Sequence, residues 1–254
     1  MAHHYNHVTE QVEAASVEMG QERCLGMNKQ ELRARVEEMG LVPVIRTSSA
    51  DDARFAVEEV AHAGVPIVEV TMTVPGALRV IEDLAKSVPE VVLGAGTVLD
   101  PETARACIDA GAQFISSPAF DQATTEFVAK RQHIIMMAGA LTPTEIHMAW
   151  KAGADFVKIF PSAMVGGDQY LRALRRPFPQ IPFVPGGGIT QQNAAQYLLA
   201  GAVALSVGKE LIPVESMLLH KPDRIRELTR RFVGIVKSTR TRLAEAQNQL
   251  AQTR

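Results

Sequence analysis

"AGADFVKIFP", residues 152–161, sets out the unit from which the chain is built: a small residue and a glycine, then a short β-rich apolar run. The same unit occurs as "AGVPIVEVT" (63–71), "AGAQFISSP" (110–118) and "AGAVALSVG" (200–208). Between these stand "EVVLGAGT" (90–97), "HIIMMAG" (133–139) and "IPFVPGGG" (181–188), and "LVPVIR" (41–46) precedes them all. Together they make eight strand candidates. Most are continuous apolar runs rather than alternating ones, the pattern of parallel strands covered on both faces.

The segments between the strands carry helix punctuation. "TPTEIHMAWKAG" opens with Thr142 as N-cap, Pro143 at the first helical position and Glu145 three residues past the cap, and Gly153 stops it. "DPETARACIDAG" repeats this with Asp100, Pro101 and Gly111, while two further helical segments end at Gly64 and Gly201. Strand and helix thus alternate eight times without a break in composition. That order predicts a (β/α)8 TIM barrel, with an open doubly wound sheet as the alternative. "LGAGTV" (93–98) is not a dinucleotide loop, because it lacks the third glycine and the acidic residue about 20 positions on.

Residues 28–243 are therefore expected to form one barrel domain. "NKQELRARVEEMG" (28–40) reads as a helix that plugs or flanks it. "PDRIRELTRRFVGIVKSTRTRL" (222–243) has Ile225, Leu228, Phe232 and Ile235 at helical spacing and reads as a long closing helix. Residues 244–254 form a polar tail that either continues this helix or frays. Residues 1–27 form an N-terminal extension, poorly ordered or helical, and His3, His4 and His7 read as part of it rather than as metal ligands.

Composition narrows the function. Of 254 residues, 46% are hydrophobic and 21% charged, with a net charge of −2, which gives no footprint for nucleic acid. Cys24 and Cys107 form no C-x-x-C pattern, so neither a zinc site nor a disulfide scaffold is expected, and a cytoplasmic location is. No stretch approaches the roughly 20 apolar residues of a membrane span, and the N-terminus lacks the layout of a secretion signal. His133 and His147 have no second ligand at metal spacing, so no metal or cofactor is expected. Met148 and Trp150 read equally as core or as interface.

The chemistry belongs at the C-terminal strand ends. In the sixth strand, Phe156, Lys158 and Phe160 share one face while Val157 and Ile159 share the other. A charged amine between phenylalanines is costly to bury unless paired or neutral. Either Lys158 reaches solvent at a strand end, or it is held there for chemistry. In the second strand Ile67, Glu69, Thr71 and Thr73 share a face, and the first puts Arg46 in phase with Val42 and Val44. Glu69 and Lys158 are the ionisable residues set deepest in apolar runs. Apolar surroundings favour a neutral amine, which attacks a keto carbonyl to give a Schiff base, and a nearby carboxylate can shuttle protons. A buried structural ion pair is the alternative. Gly186, Gly187 and Gly188 leave the seventh strand and Gly208 and Lys209 leave the eighth, the two loops that often hold a phosphate in such barrels. The glycines also suit a plain tight turn.

Taken together, E-V-T (69–71), G-A-G-T-V (94–98), S-P (117–118), K-x-F-P (158–161) and the glycine run at 186–188 resemble the 2-keto-3-deoxy-6-phosphogluconate and 4-hydroxy-2-oxoglutarate aldolase family over residues 41–212. The resemblance implies a class I aldolase, normally a homotrimer, that needs no cofactor and releases pyruvate and an aldehyde through a Schiff base. It implies Lys158 as the Schiff-base lysine and Glu69 as acid/base, with Thr97, Pro118 and Phe160 lining the pyruvate pocket. Other members carry an arginine where Thr73 stands, so Arg46 becomes the candidate for the substrate carboxylate. Three departures stand out: Gly186 replaces a threonine, Lys209 replaces a small residue, and Ala138 replaces a proline before Gly139. Two of the three lie toward the phosphate end, so the distal half of the substrate is less defined than the chemistry: a galactonate-type or unphosphorylated sugar acid fits the same frame. A phosphate-binding isomerase or synthase without covalent catalysis, and a non-catalytic sugar-acid binder, are the competing readings.

Overall fold

A computed structural model of the chain describes residues 27–252. The N-terminal stretch 1–26, with its three histidines and Cys24, lies outside the described residues, as do 253 and 254. Eight parallel strands run in the sheet order β7-β6-β5-β4-β3-β2-β1-β8. They are β1 (Leu41–Ile45), β2 (Ile67–Thr71), β3 (Val92–Gly96), β4 (Phe114–Ser116), β5 (Ile135–Ala140), β6 (Phe156–Ile159), β7 (Phe183–Pro185) and β8 (Leu205–Val207). Parallel bridges Phe183–Ala202 and Gly186–Ser206 join β7 to β8 and bring the sheet round into a barrel.

Helices fill the connections: α1 (Lys29–Met39) before β1, then α2 (Ala50–His62), α3 (Ala77–Ser87), α4 (Pro101–Asp109), α5 (Gln122–Ala129), α6 (Pro143–Lys151), α7 (Gly167–Arg175) and α8 (Ala194–Leu199). A short α9 (Val214–Leu218) and the long α10 (Pro222–Gln252) follow β8. The punctuation explains where they start. Thr142 caps α6 in a capping box in which the Glu145 carboxylate accepts from the N–H groups of Thr142 (2.7 Å) and Leu141 (2.9 Å). Asp100 accepts from the Thr103 N–H at 2.7 Å, with Pro101 at the first position of α4. Gly111 and Gly153 then take positive φ (107° and 94°), which turns the chain back toward the next strand.

Alternate strand residues serve two cores. Val68, Val70, Val157 and Ile159 face outward and pack under the helices. Ile67, Val92, Phe114, Ile135, Phe156 and Val184 fill the barrel interior, and Leu32 and Val36 of α1 join them. The first helix therefore plugs the N-terminal end of the barrel rather than flanking it. A methyl on Gly94 would lie 2.1 Å from the Phe114 ring, so this glycine makes room for the aromatic floor.

The closing helix is held at two points. Arg226 donates to the Glu59 carboxylate of α2, and Arg240 donates to the carbonyls of Glu37, Glu38 and Val203. Ile225, Leu228 and Phe232 are buried as their spacing predicts, but the next buried residue is Val236, and Ile235 is only half-buried. A 3.6-residue period brings residue 236, four beyond Phe232, back onto the inner face. The helix continues to Gln252, so residues 244–252 of the polar tail are helical.

Candidate active site

A cavity of about 610 Å³ opens at the C-terminal ends of the strands, above the aromatic floor. Lys158 rises into it from β6, beside Gly139 of β5 and Val184 of β7 in register. The side chain is both buried and paired. Lys158 is 7% exposed, and its Nζ lies 3.0 Å from Glu69 Oε2, 3.3 Å from Oε1 and 2.9 Å from Ser116 Oγ. Glu69, 2% exposed, comes from β2 on the other side of the interior. Removing either partner would leave the other charge buried alone, at a cost of about 3–5 kcal/mol.

Glycines make this pairing possible. A methyl on Gly96 would lie 1.9 Å from Glu69 Oε1, and one on Gly139 would lie 2.3 Å from the backbone carbon of Pro118. Gly139 also donates its N–H to Ser117 Oγ at 3.0 Å, which holds the Pro118 turn against the strand. Thr97 lines the cavity directly after β3 with φ +58°, a left-handed conformation unusual for a β-branched residue. Such a φ aims its side chain where an extended residue could not.

Arg46, Thr97, Pro118 and Phe160 all line the cavity with Glu69 and Lys158. Thr73 does not line it. Its exposed hydroxyl instead accepts from Arg46 Nη1 at 3.2 Å and shares a 2.8 Å hydrogen bond with the Thr71 hydroxyl. The guanidinium directly after β1 thus reaches across to the segment directly after β2.

Gly187, Gly188, Gly208 and Lys209 also line the cavity, from the loops after β7 and β8. Gly187 and Gly188 have φ of +79° and +90°, and a methyl on Gly188 would lie 2.4 Å from Ala163 Cβ, so both close approach and backbone direction require glycine there. Gly186 does not line it. It sits against Ser206, and a methyl there would come within 3.5 Å of Lys158 Cε, so this position belongs to the lysine's surroundings. Asn193 braces the loop by accepting from the Thr190 N–H (2.7 Å) and donating to the Gly188 carbonyl (2.9 Å).

Sequence reasoning missed several residues here. Val44, Ser206, Ile189, Glu210, Ile212 and Val214 also line the cavity, and Ser116 touches the lysine amine. Ser116 had a readable signal, since it lies in phase with Phe114 and Pro118 on β4. Ile212 follows β8 in irregular chain and Val214 opens the five-residue α9, too short for a periodicity to mark a facing.

The family model "Aldolase: KDPG and KHG aldolase" matches residues 32–228. The KHG/KDPG aldolase of Escherichia coli K12 is 34% identical over 193 residues, covering 76% of this chain and 90% of that relative. A KDPG aldolase from Legionella pneumophila, solved with pyruvate captured at low pH as a covalent carbinolamine intermediate, superposes with a TM-score of 0.73 at 30% identity. It covers 78% of this chain and 96% of its own. A cube-shaped protein cage designed by fusing symmetric oligomeric domains gives a TM-score of 0.78 at 27% identity, covering 85% of this chain and 78% of that one. The chain thus belongs to the KDPG and KHG aldolase family and is a carbon–carbon lyase.

Proposed function

We propose that the chain cleaves a 2-keto-3-deoxy sugar acid, phosphorylated or not, or 4-hydroxy-2-oxoglutarate, to pyruvate and an aldehyde through a Schiff base on Lys158. The observation that carries this reading is the buried Lys158–Glu69 pair, 3.0 Å apart, at the wall of an open cavity. The captured carbinolamine of the Legionella relative supports the covalent route.

The steps follow from the groups present. Neutral Lys158 Nζ attacks the keto carbon, and the carbonyl oxygen takes up a proton to give a carbinolamine. The carbinolamine hydroxyl takes up a proton from the Glu69 carboxylic acid and leaves as water, which gives a protonated imine and a Glu69 carboxylate. Glu69 takes the proton from the C4 hydroxyl, the C3–C4 bond breaks, and its electron pair flows into the imine to give an enamine as the aldehyde departs. Protonation of the enamine carbon and addition of water then release pyruvate and restore the amine. No metal or cofactor is needed, because the imine is the electron sink.

Arg46 takes the substrate C1 carboxylate, and Thr97, Pro118 and Phe160 wall the pyruvyl fragment. Gly187, Gly188, Gly208 and Lys209 receive the distal end of the aldehyde portion, with Gly186 behind them beside the lysine. Residues 28–243 act as one catalytic barrel domain. The assembly is a homotrimer working in cytoplasmic carbohydrate metabolism; of this, the likeness to a cage designed by fusing symmetric oligomeric domains supports oligomerisation. Among the described residues no helix is long and apolar enough to cross a membrane.

The test is pyruvate release from 2-keto-3-deoxy-6-phosphogluconate, its galactonate epimer, the unphosphorylated acids and 4-hydroxy-2-oxoglutarate. At least one is turned over by the wild type and none by a folded Lys158→Met variant. Turnover by that variant would sink the reading.

A further inference from the structure

Lys158 has a second partner besides Glu69. Ser116, at the end of β4 and 0% exposed, places its Oγ 2.9 Å from Lys158 Nζ, while Glu69 Oε2 lies 3.0 Å from the same nitrogen. A neutral amine has two N–H bonds and one lone pair, arranged tetrahedrally with its carbon. With one N–H directed to Glu69 and the other to Ser116, three of the four directions are taken by Cε and the two acceptors. Lys158 lines the cavity, so the fourth direction is the one left for a ligand.

We propose that Ser116 is a positioning residue that fixes the rotation of the Lys158 amine, so that its lone pair faces the cavity and meets the keto carbon. Glu69 alone cannot do this. With one N–H held by Glu69, the lone pair still exchanges between the two remaining positions about the Cε–Nζ bond, only one of which faces the cavity. The serine hydroxyl supplies the second point of attachment. It adds no charge, and it remains a donor able to follow the new C–O bond once the carbinolamine has formed. The inference rests on Lys158 as the Schiff-base lysine, and the test separates the two claims.

The experiment measures the rate of borohydride trapping of pyruvate on Lys158, as a function of pyruvate concentration and pH, in the wild type, Ser116→Ala and Ser116→Thr. Ser116→Ala is expected to slow trapping at saturating pyruvate about tenfold or more, with half-saturation changed by less than about twofold. The deficit persists as pH rises toward the range where every lysine loses its proton, because orientation rather than ionisation is impaired. Ser116→Thr keeps the hydroxyl and restores most of the rate, which excludes a general folding defect. Equal rates for Ser116→Ala and wild type, or a deficit that vanishes at high pH, would overturn the inference while leaving the Schiff base standing. A wild type that is never trapped would overturn both.

Discussion

Gly96 stands directly against Glu69: a methyl group at residue 96 would sit 1.9 Å from Oε1, the carboxylate oxygen that lies 3.3 Å from Lys158 Nζ. The backbone of β3 is therefore the surface on which the acid/base group rests. Gly96→Ala is predicted to displace that carboxylate and to destabilise the barrel by about 1–3 kcal/mol through overpacking. Turnover is expected to fall by far more than the loss of folded protein explains. Thermal melting and steady-state kinetics on one preparation check this, and an active Gly96→Ala enzyme would mean that the carboxylate need not stay where it is.

Glu69→Gln keeps the shape but removes the base. Turnover should fall by about 10²–10⁴-fold, the range for loss of a positioned proton-transfer group. Pyruvate exchange of its methyl protons, followed by NMR in deuterated water, should fall in parallel, since enamine formation needs the same base. Exchange that survives while cleavage is lost would assign the C3 proton to another group.

The carboxylate-binding role of Arg46 makes a different demand. A charge-assisted hydrogen bond contributes about 1.5–3 kcal/mol, so Arg46→Met should weaken pyruvate binding by about 10–100-fold with the Lys158–Glu69 pair undisturbed. Thr73→Val, which removes only the 3.2 Å bond that steadies the guanidinium, should weaken it less. Pyruvate saturation in the exchange assay reads both. A larger effect from Thr73→Val than from Arg46→Met would reverse the assignment.

Cys107 offers a prediction outside the site. Burial, with the Asp100 carboxylate adding to it, pushes its thiol up to about 12, from an ordinary value of 9.0. The folded state holds this proton more tightly than the unfolded state does. The resulting stability is fully present below pH 9.0 and is lost as pH rises toward about 12. Near pH 8 the thiolate is scarcer in the folded chain by a factor on the order of 10³, so alkylation at Cys107, read by peptide mapping, should be slower than in the unfolded chain by at least about a hundredfold. Similar rates in both states would mean that this part of the barrel opens readily.

The eightfold alternation was legible because parallel strands buried on both faces write continuous apolar runs, and because capping residues such as Thr142 and Asp100 punctuate them locally. Lys158 and Glu69 stood out because a charge inside such a run is costly unless something answers it. Their pairing was not legible in the same way: they lie 89 positions apart, and only barrel closure brings β2 opposite β6. The Arg46–Thr73 bond likewise joins two strand ends that sequence treats separately. Gly186 was misleading, since a glycine run reads as one loop while its first member packs inside, beside the lysine. The left-handed φ of Thr97 had no local signature at all, because threonine is not a residue that announces it.

The most direct test of the whole account is borohydride reduction of the wild-type enzyme in pyruvate, followed by intact mass and peptide mapping. The account predicts one reduced pyruvyl group per chain, carried on Lys158. A folded sample that gains no adduct, or gains it on another lysine, would contradict the account and leave Lys158 an electrostatic partner of Glu69 in a barrel that works without covalent catalysis.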